Sequence, residues 1–162
     1  MNELTLLNRA FAVRTNVDGD AAAILDTAGN SADGGHTLSR EEAMGLAEIR
    51  SRALVDNQRI EIGIGAVGRL IKKFRLSSYV PPDGFAELIG YLAELFYFVK
   101  TETRDGISDA DLADFMYDRF EGICAGSTEL LTSQCEGLIT SLAGGNNGDF
   151  EGMPENQEDE TE

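Results

Sequence analysis

Several residue types that usually carry chemistry or cross-links are scarce in this chain. Its 162 residues include one His and two Cys. A lone His36 leaves no H-E-x-x-H and no E-x-x-H pattern, and Cys124 and Cys135 form no close pair, so zinc and di-iron centres lack their usual ligands. Asp18-Gly19-Asp20 lacks the spacing and closing Glu of a calcium loop. No metal, cofactor or catalytic residue is therefore expected. His36, in a Gly-rich stretch, reads as a solvated side chain. Cys124, with no His near it in sequence, reads as a structural thiol.

Long apolar runs are also missing. The most apolar stretch, Leu88 to Val99, contains Glu94 and falls well short of the roughly 20 residues a membrane helix needs. No secretory pattern opens the chain, because Asn2, Glu3, Asn8 and Arg9 interrupt the apolar residues there. The expectation is a cytoplasmic protein with two free thiols and no membrane contact.

Basic residues are few: 13 Lys plus Arg stand against 29 Asp plus Glu, a formal charge of -16. Neutralising phosphates takes Lys and Arg, so direct nucleic-acid binding is disfavoured. The one basic cluster is Lys72, Lys73 and Arg75. Seven acids and no base lie between Gly144 and Glu162, which leaves the preceding 143 residues at -9. That last segment opens on Gly144-Gly145-Asn146-Asn147-Gly148 and has little apolar content beyond Phe150 and Met153. It reads as a disordered acidic tail following a helical domain over 1–143.

What is present in quantity is helical periodicity. Leu4, Leu7, Ala10 and Phe11 suggest a helix from Glu3 to Thr15, and residues 16–36 read as a flexible or partly helical connection broken at Asp18-Gly19-Asp20. Ser39-Arg40-Glu41-Glu42 matches a capping box and starts a helix that reaches about Asn57. Arg59-Ile60-Glu61-Ile62 alternates, so it is either a very short strand or an extended link. Ile64 to Phe74 is helical by Val67, Leu70, Ile71 and Phe74. Pro81-Pro82 forbids continuation and sets Asp83 as the N-cap of a long, mostly apolar helix from Phe85 to about Thr103. Ser108 caps a further helix to about Glu121, and a last one follows Gly126 and Ser127, with Leu130, Leu131, Leu138 and Leu142 inside. The predicted class is all-α, a single-domain irregular bundle of five or six helices.

Two features resemble sites. Gly63-Ile64-Gly65-Ala66-Val67-Gly68 matches G-x-G-x-x-G after an extended step and before a helix, the context of a dinucleotide fingerprint. The candidate strand carries Arg59 and Glu61, however, and nothing beyond reads as βαβ. A helix start with close backbone packing is the favoured reading. The second feature is Glu94, set in the most apolar helix with Tyr91 and Tyr97 at helically adjacent positions. A buried carboxylate there would need a partner such as Arg50 or Arg69, making Arg50, Tyr91 and Glu94 a candidate ligand-binding set. The simpler reading, which we favour, puts Glu94 on a narrow solvent-facing stripe with Glu87 and Lys100.

The run Thr37-Leu38-Ser39-Arg40-Glu41-Glu42-Ala43, then Arg50, Leu54, Arg59-Ile60-Glu61, Gly63, Leu70-Ile71, Phe74, Ser78-Tyr79 and Leu95-Phe96-Tyr97-Phe98, is similar to a family of small uncharacterised bacterial proteins. That family is a domain of unknown function, found chiefly in anaerobic Gram-positive bacteria. The resemblance covers roughly Ala22 to Leu142 and implies no activity. Three functional expectations follow. The first is a non-catalytic helical module binding a partner protein or a second copy of itself. The second is an enzyme or small-ligand protein with a polar interior site around Glu94. The third is an acidic mimic that occupies a basic partner.

Overall fold

The computed structural model describes residues 17–29 and 34–144, and the helix expected over 3–15 and most of the acidic segment lie outside them. Among the described residues the fold is all-α, with six α-helices and no strand. They are α1 (Val17–Ala28), α2 (Arg40–Asp56), α3 (Gly65–Phe74), α4 (Phe85–Glu102), α5 (Asp109–Glu121) and α6 (Thr128–Ala143). Contacts divide the chain into two units, Met1–Phe98 and Val99–Glu162, with the boundary inside α4.

In the first unit, α1 packs on α2 and α3. It buries Val17, Ala21, Ile24 and Ala28, one side chain per turn, and this apolar stripe carries the helix through Asp18-Gly19-Asp20 where a break was expected. The two aspartates sit in the first turn, where the helix dipole favours negative charge. At the start of α2 the capping box forms in full: Ser39 Oγ accepts from the Glu42 amide at 3.1 Å, and the Ser39 amide donates to Glu42 Oε1 at 2.8 Å. Ala43, Leu46, Ala47 and Leu54 face inward along it. A 3-10 turn, Pro82–Gly84, leads into α4, so Asp83 lies within that turn, which the Gly84 amide closes onto the Pro81 carbonyl at 2.9 Å.

Among the described residues no strand forms at 59–62. The Arg59 amide instead bonds back to the Leu54 carbonyl at 2.8 Å, closing the end of α2 with Gln58 at φ 56°, and the chain then runs as an extended link. His36, expected to be solvated, is half-buried. Its ring stacks on Phe85 at 5.2 Å, and its Nε2 lies 3.1 Å from the Ser77 carbonyl.

In the second unit, α5 packs on α6. Ser108 caps α5 through the Asp111 amide, and Ser127 caps α6 through the Leu130 amide. Leu112, Phe115, Met116 and Phe120 of α5 and Leu131, Cys135 and Leu138 of α6 are buried, whereas Leu130, expected inside, is half-exposed. Lys100 departs furthest from expectation. It is only 5% exposed, with Nζ donating to the Ile107 carbonyl at 2.7 Å and pairing with Asp109 at 2.7 Å. The turn after α4 doubles back to supply these oxygens, with Arg104 and Asp105 both at positive φ.

Candidate functional site

The polar centre of the first unit forms around Arg50. This residue lies on the inward face of α2 and is only 4% exposed. A buried guanidinium must be paired on most of its N–H groups. Arg50 Nη1 donates to Asp20 on α1 at 3.0 Å, Nε donates to Glu61 Oε1 at 3.1 Å, and Nη2 donates to the Gly63 carbonyl.

Glu61 is the second hub. Its Oε1 also accepts the Tyr97 hydroxyl at 2.6 Å, and its Oε2 accepts the Ala66 amide at the start of α3 at 3.1 Å. Burial holds the Tyr97 phenol well above its ordinary range, and the Glu61 charge beside it adds to the effect, so the hydroxyl stays a donor. Residues from α1, α2, the 59–64 link, α3 and α4 thus meet on one guanidinium and one carboxylate. Arg50 carries one positive charge against the two carboxylates of Asp20 and Glu61.

The glycine motif acquires a physical reason from this carboxylate. Gly63 and Gly65 adopt φ 68° and 50°, a region that L side chains rarely enter. A Cβ on Gly65 would stand 2.2 Å from the Glu61 carboxyl carbon, so the glycine is what lets the carboxylate reach the helix start. On Gly68 a Cβ would come within 2.8 Å of Ile64. A helix N-terminus is a ready anion site, and here the chain's own Glu61 fills the position a phosphate would take in a dinucleotide fold.

Of the three residues singled out from sequence, the structure puts Arg50 in this network, leaves Tyr91 half-buried and leaves Glu94 exposed. Arg50 therefore pairs with Asp20 and Glu61 and not with Glu94, and the polar interior is built around Glu61. Arg69, the other suggested partner, is exposed on α3. Tyr97 lies three residues beyond Glu94 but is buried. The signal that could have found Glu61 was its alternation with two isoleucines. That pattern places a carboxylate on the opposite side from Ile60 and Ile62, and here the carboxylate is the inward side.

With the carboxylate turned in, the flanking side chains face out: Ile60 is 85% exposed and Ile62 96%. These are the two most exposed large apolar residues among those described.

A model of one family matches residues 23–147, which takes in Arg50, Glu61, Gly63, Gly65 and Tyr97 and leaves out Asp20. The chain belongs to DUF6323, a family of unknown function. The matched span runs close to the Ala22–Leu142 over which the resemblance was drawn. No curated protein and no solved structure matches the chain.

Chemically, the groups of this network engage one another. Three donors engage both oxygens of Glu61, and Nε, Nη1 and Nη2 of Arg50 are all in use, so the groups hold one another in place. Among the described residues no group of three His, Cys, Asp or Glu could hold a metal ion. In the second unit Cys124 and Cys135 are buried free thiols. Burial pushes the Cys135 thiol up to about 12 and also raises Cys124, the opposite of what a nucleophile needs.

Proposed function

We propose that this chain is a non-catalytic interaction module and that the Ile60–Ile62 link is its contact ridge. The observation that carries the reading is the near-complete exposure of two isoleucines on either side of a carboxylate fixed by Arg50, Tyr97 and the Ala66 amide. Exposed apolar side chains on a mobile loop lose entropy on binding. The same side chains on a link pinned at its centre lose less, which favours association. A network that engages all three Arg50 nitrogens and both Glu61 oxygens fits a support for such a ridge better than an acid–base centre, which must leave an oxygen within reach of substrate.

The partner is a protein surface, and the setting we infer is the bacterial cytoplasm, where two buried free thiols remain reduced. No helix among the described residues is long and apolar enough to cross a membrane. The test is the double variant Ile60→Ser/Ile62→Ser, compared with the unaltered chain by size-exclusion chromatography with light scattering and by affinity capture from the native cell. Association by the unaltered chain, lost in a variant with the same melting temperature, is the expected result. An unaltered chain that stays monomeric and captures nothing would overturn the reading.

A further inference from the structure

The isoleucine ridge is the start of a longer surface whose charge is the reverse of the rest of the molecule. From Ile62 to Pro82 the sequence contains no Asp or Glu and four bases, in a chain with a formal charge of -16. The helix α3 lies inside this interval and is sharply two-sided. Ala66, Val67, Leu70, Ile71 and Phe74 are buried, while Arg69 and Lys72 are exposed. Leu76, one turn beyond Lys72, is 62% exposed, and Tyr79 after it is 45% exposed. Lys72 and Lys73 in the last turn complement the helix dipole, and the Arg75 guanidinium is packed over Gly35. Neither role accounts for Arg69, or for the two half- to two-thirds-exposed apolar side chains beyond the helix end. The exposed residues along this interval are thus apolar Ile62 before the helix, Arg69 and Lys72 on it, and apolar Leu76 and Tyr79 beyond it, and the helix itself spans about 15 Å.

We infer that this face binds an acidic segment of a partner protein, one that carries apolar residues among its carboxylates; the inference rests on the interaction reading above and names the chemistry of the partner. Charge complementarity selects the acidic class, since a strongly acidic body repels anionic partners least along its one basic stripe. Nucleic acids and anionic membranes are also negative, but their extended charge meets the field of the whole molecule, whereas a short peptide segment meets chiefly the stripe. Apolar contacts at both ends of the stripe match a peptide better than a phosphate backbone.

The probe is a fluorescein-labelled synthetic peptide of alternating leucine and glutamate, titrated into the full chain and followed by anisotropy. Companion peptides carry lysine in place of glutamate, or serine in place of leucine. The leucine–glutamate peptide is expected to bind, more weakly as salt rises and about tenfold more weakly to Arg69→Glu/Lys72→Glu. Both altered residues are exposed, and Arg69→Gln/Lys72→Gln serves as a milder second variant should charge reversal disturb folding. Absence of binding, equal binding of the lysine peptide, or an affinity unchanged by both double variants overturns the inference. So does binding confined to single-stranded DNA or to phosphatidylglycerol vesicles. If Ile60→Ser/Ile62→Ser abolishes association while the Arg69 and Lys72 variants do not, the interaction reading stands and the acidic partner falls. If the isoleucine variant changes nothing, the ridge itself fails.

Discussion

Arg50 and Glu61 illustrate how a buried ion pair is held by its surroundings more than by its own attraction. Removing a guanidinium from water costs several kcal/mol, and the pair is stable only because hydrogen bonds occupy the remaining donors and acceptors. Deleting one member therefore costs more than the pair contributes. Arg50→Ala would leave Asp20 and Glu61 as neighbouring, mostly buried carboxylates with no countercharge, and we expect a loss of about 3–5 kcal/mol. Tyr97→Phe removes a single hydroxyl that donates to a charged acceptor at 2.6 Å, and should cost about 2 kcal/mol. Urea denaturation of both variants checks the order. A Tyr97→Phe loss as large as that of Arg50→Ala would place the energetic centre at the phenol and not at the guanidinium.

At the scale of an element, the link and the first turn of α3 show what could be read in the sequence and what could not. Helices with an apolar period and a side-chain cap were legible almost to the residue: α2 behind Ser39, α3, α5 behind Ser108 and α6 behind Ser127. The long run of α1 through Gly19 was not, because its stability comes from packing on α2 and α3 and not from local propensity. Lys100 was misread for a similar reason. Its position on the helix wheel suggested a polar stripe, but the turn after α4 brings oxygens over it. The glycines at 63 and 65 look alike in sequence and differ in three dimensions. Gly63 has open space where a Cβ would go, so Gly63→Ala pays only the cost of a positive φ, about 1–2 kcal/mol. Gly65→Ala pays that cost and also drives the Glu61 carboxylate from the helix start. It should destabilise by clearly more, with loss of amide protection at Ala66 in hydrogen exchange. Equal losses in the two variants would mean that Glu61 does not anchor the helix start.

Across the whole molecule, the candidate site was legible only in part, since Arg50 was singled out while Asp20 and Glu61 lie 30 and 11 residues from it and no local pattern ties them together. Its chemistry nevertheless has a global readout, because each unit buries weak acids, one phenol in the first and two thiols in the second, whose protons are held more tightly in the folded state. In the first unit the group is Tyr97, raised above its ordinary value of 10.0 by burial and then by Glu61; in the second they are Cys135, raised from 9.0 to about 12 by burial and then by Cys124, and Cys124, raised from 9.0 by burial. Unfolding releases these groups to their ordinary values, so above those values the unfolded chain binds fewer protons than the folded one. Stability then falls as pH rises, by up to about 1.4 kcal/mol per pH unit for each group. The full contribution is present below pH 9.0; the thiols begin to withdraw their share above that point and the phenol above 10.0. Urea midpoints measured on the alkaline side should therefore decline, first through the thiols and then more steeply as the phenol joins them. The double variant Cys124→Ala/Cys135→Ala should remove the decline that begins near pH 9, and Tyr97→Phe the steepening above 10, each leaving the other intact. An alkaline decline that both variants share unchanged with the parent chain would show that these buried protons are not its source.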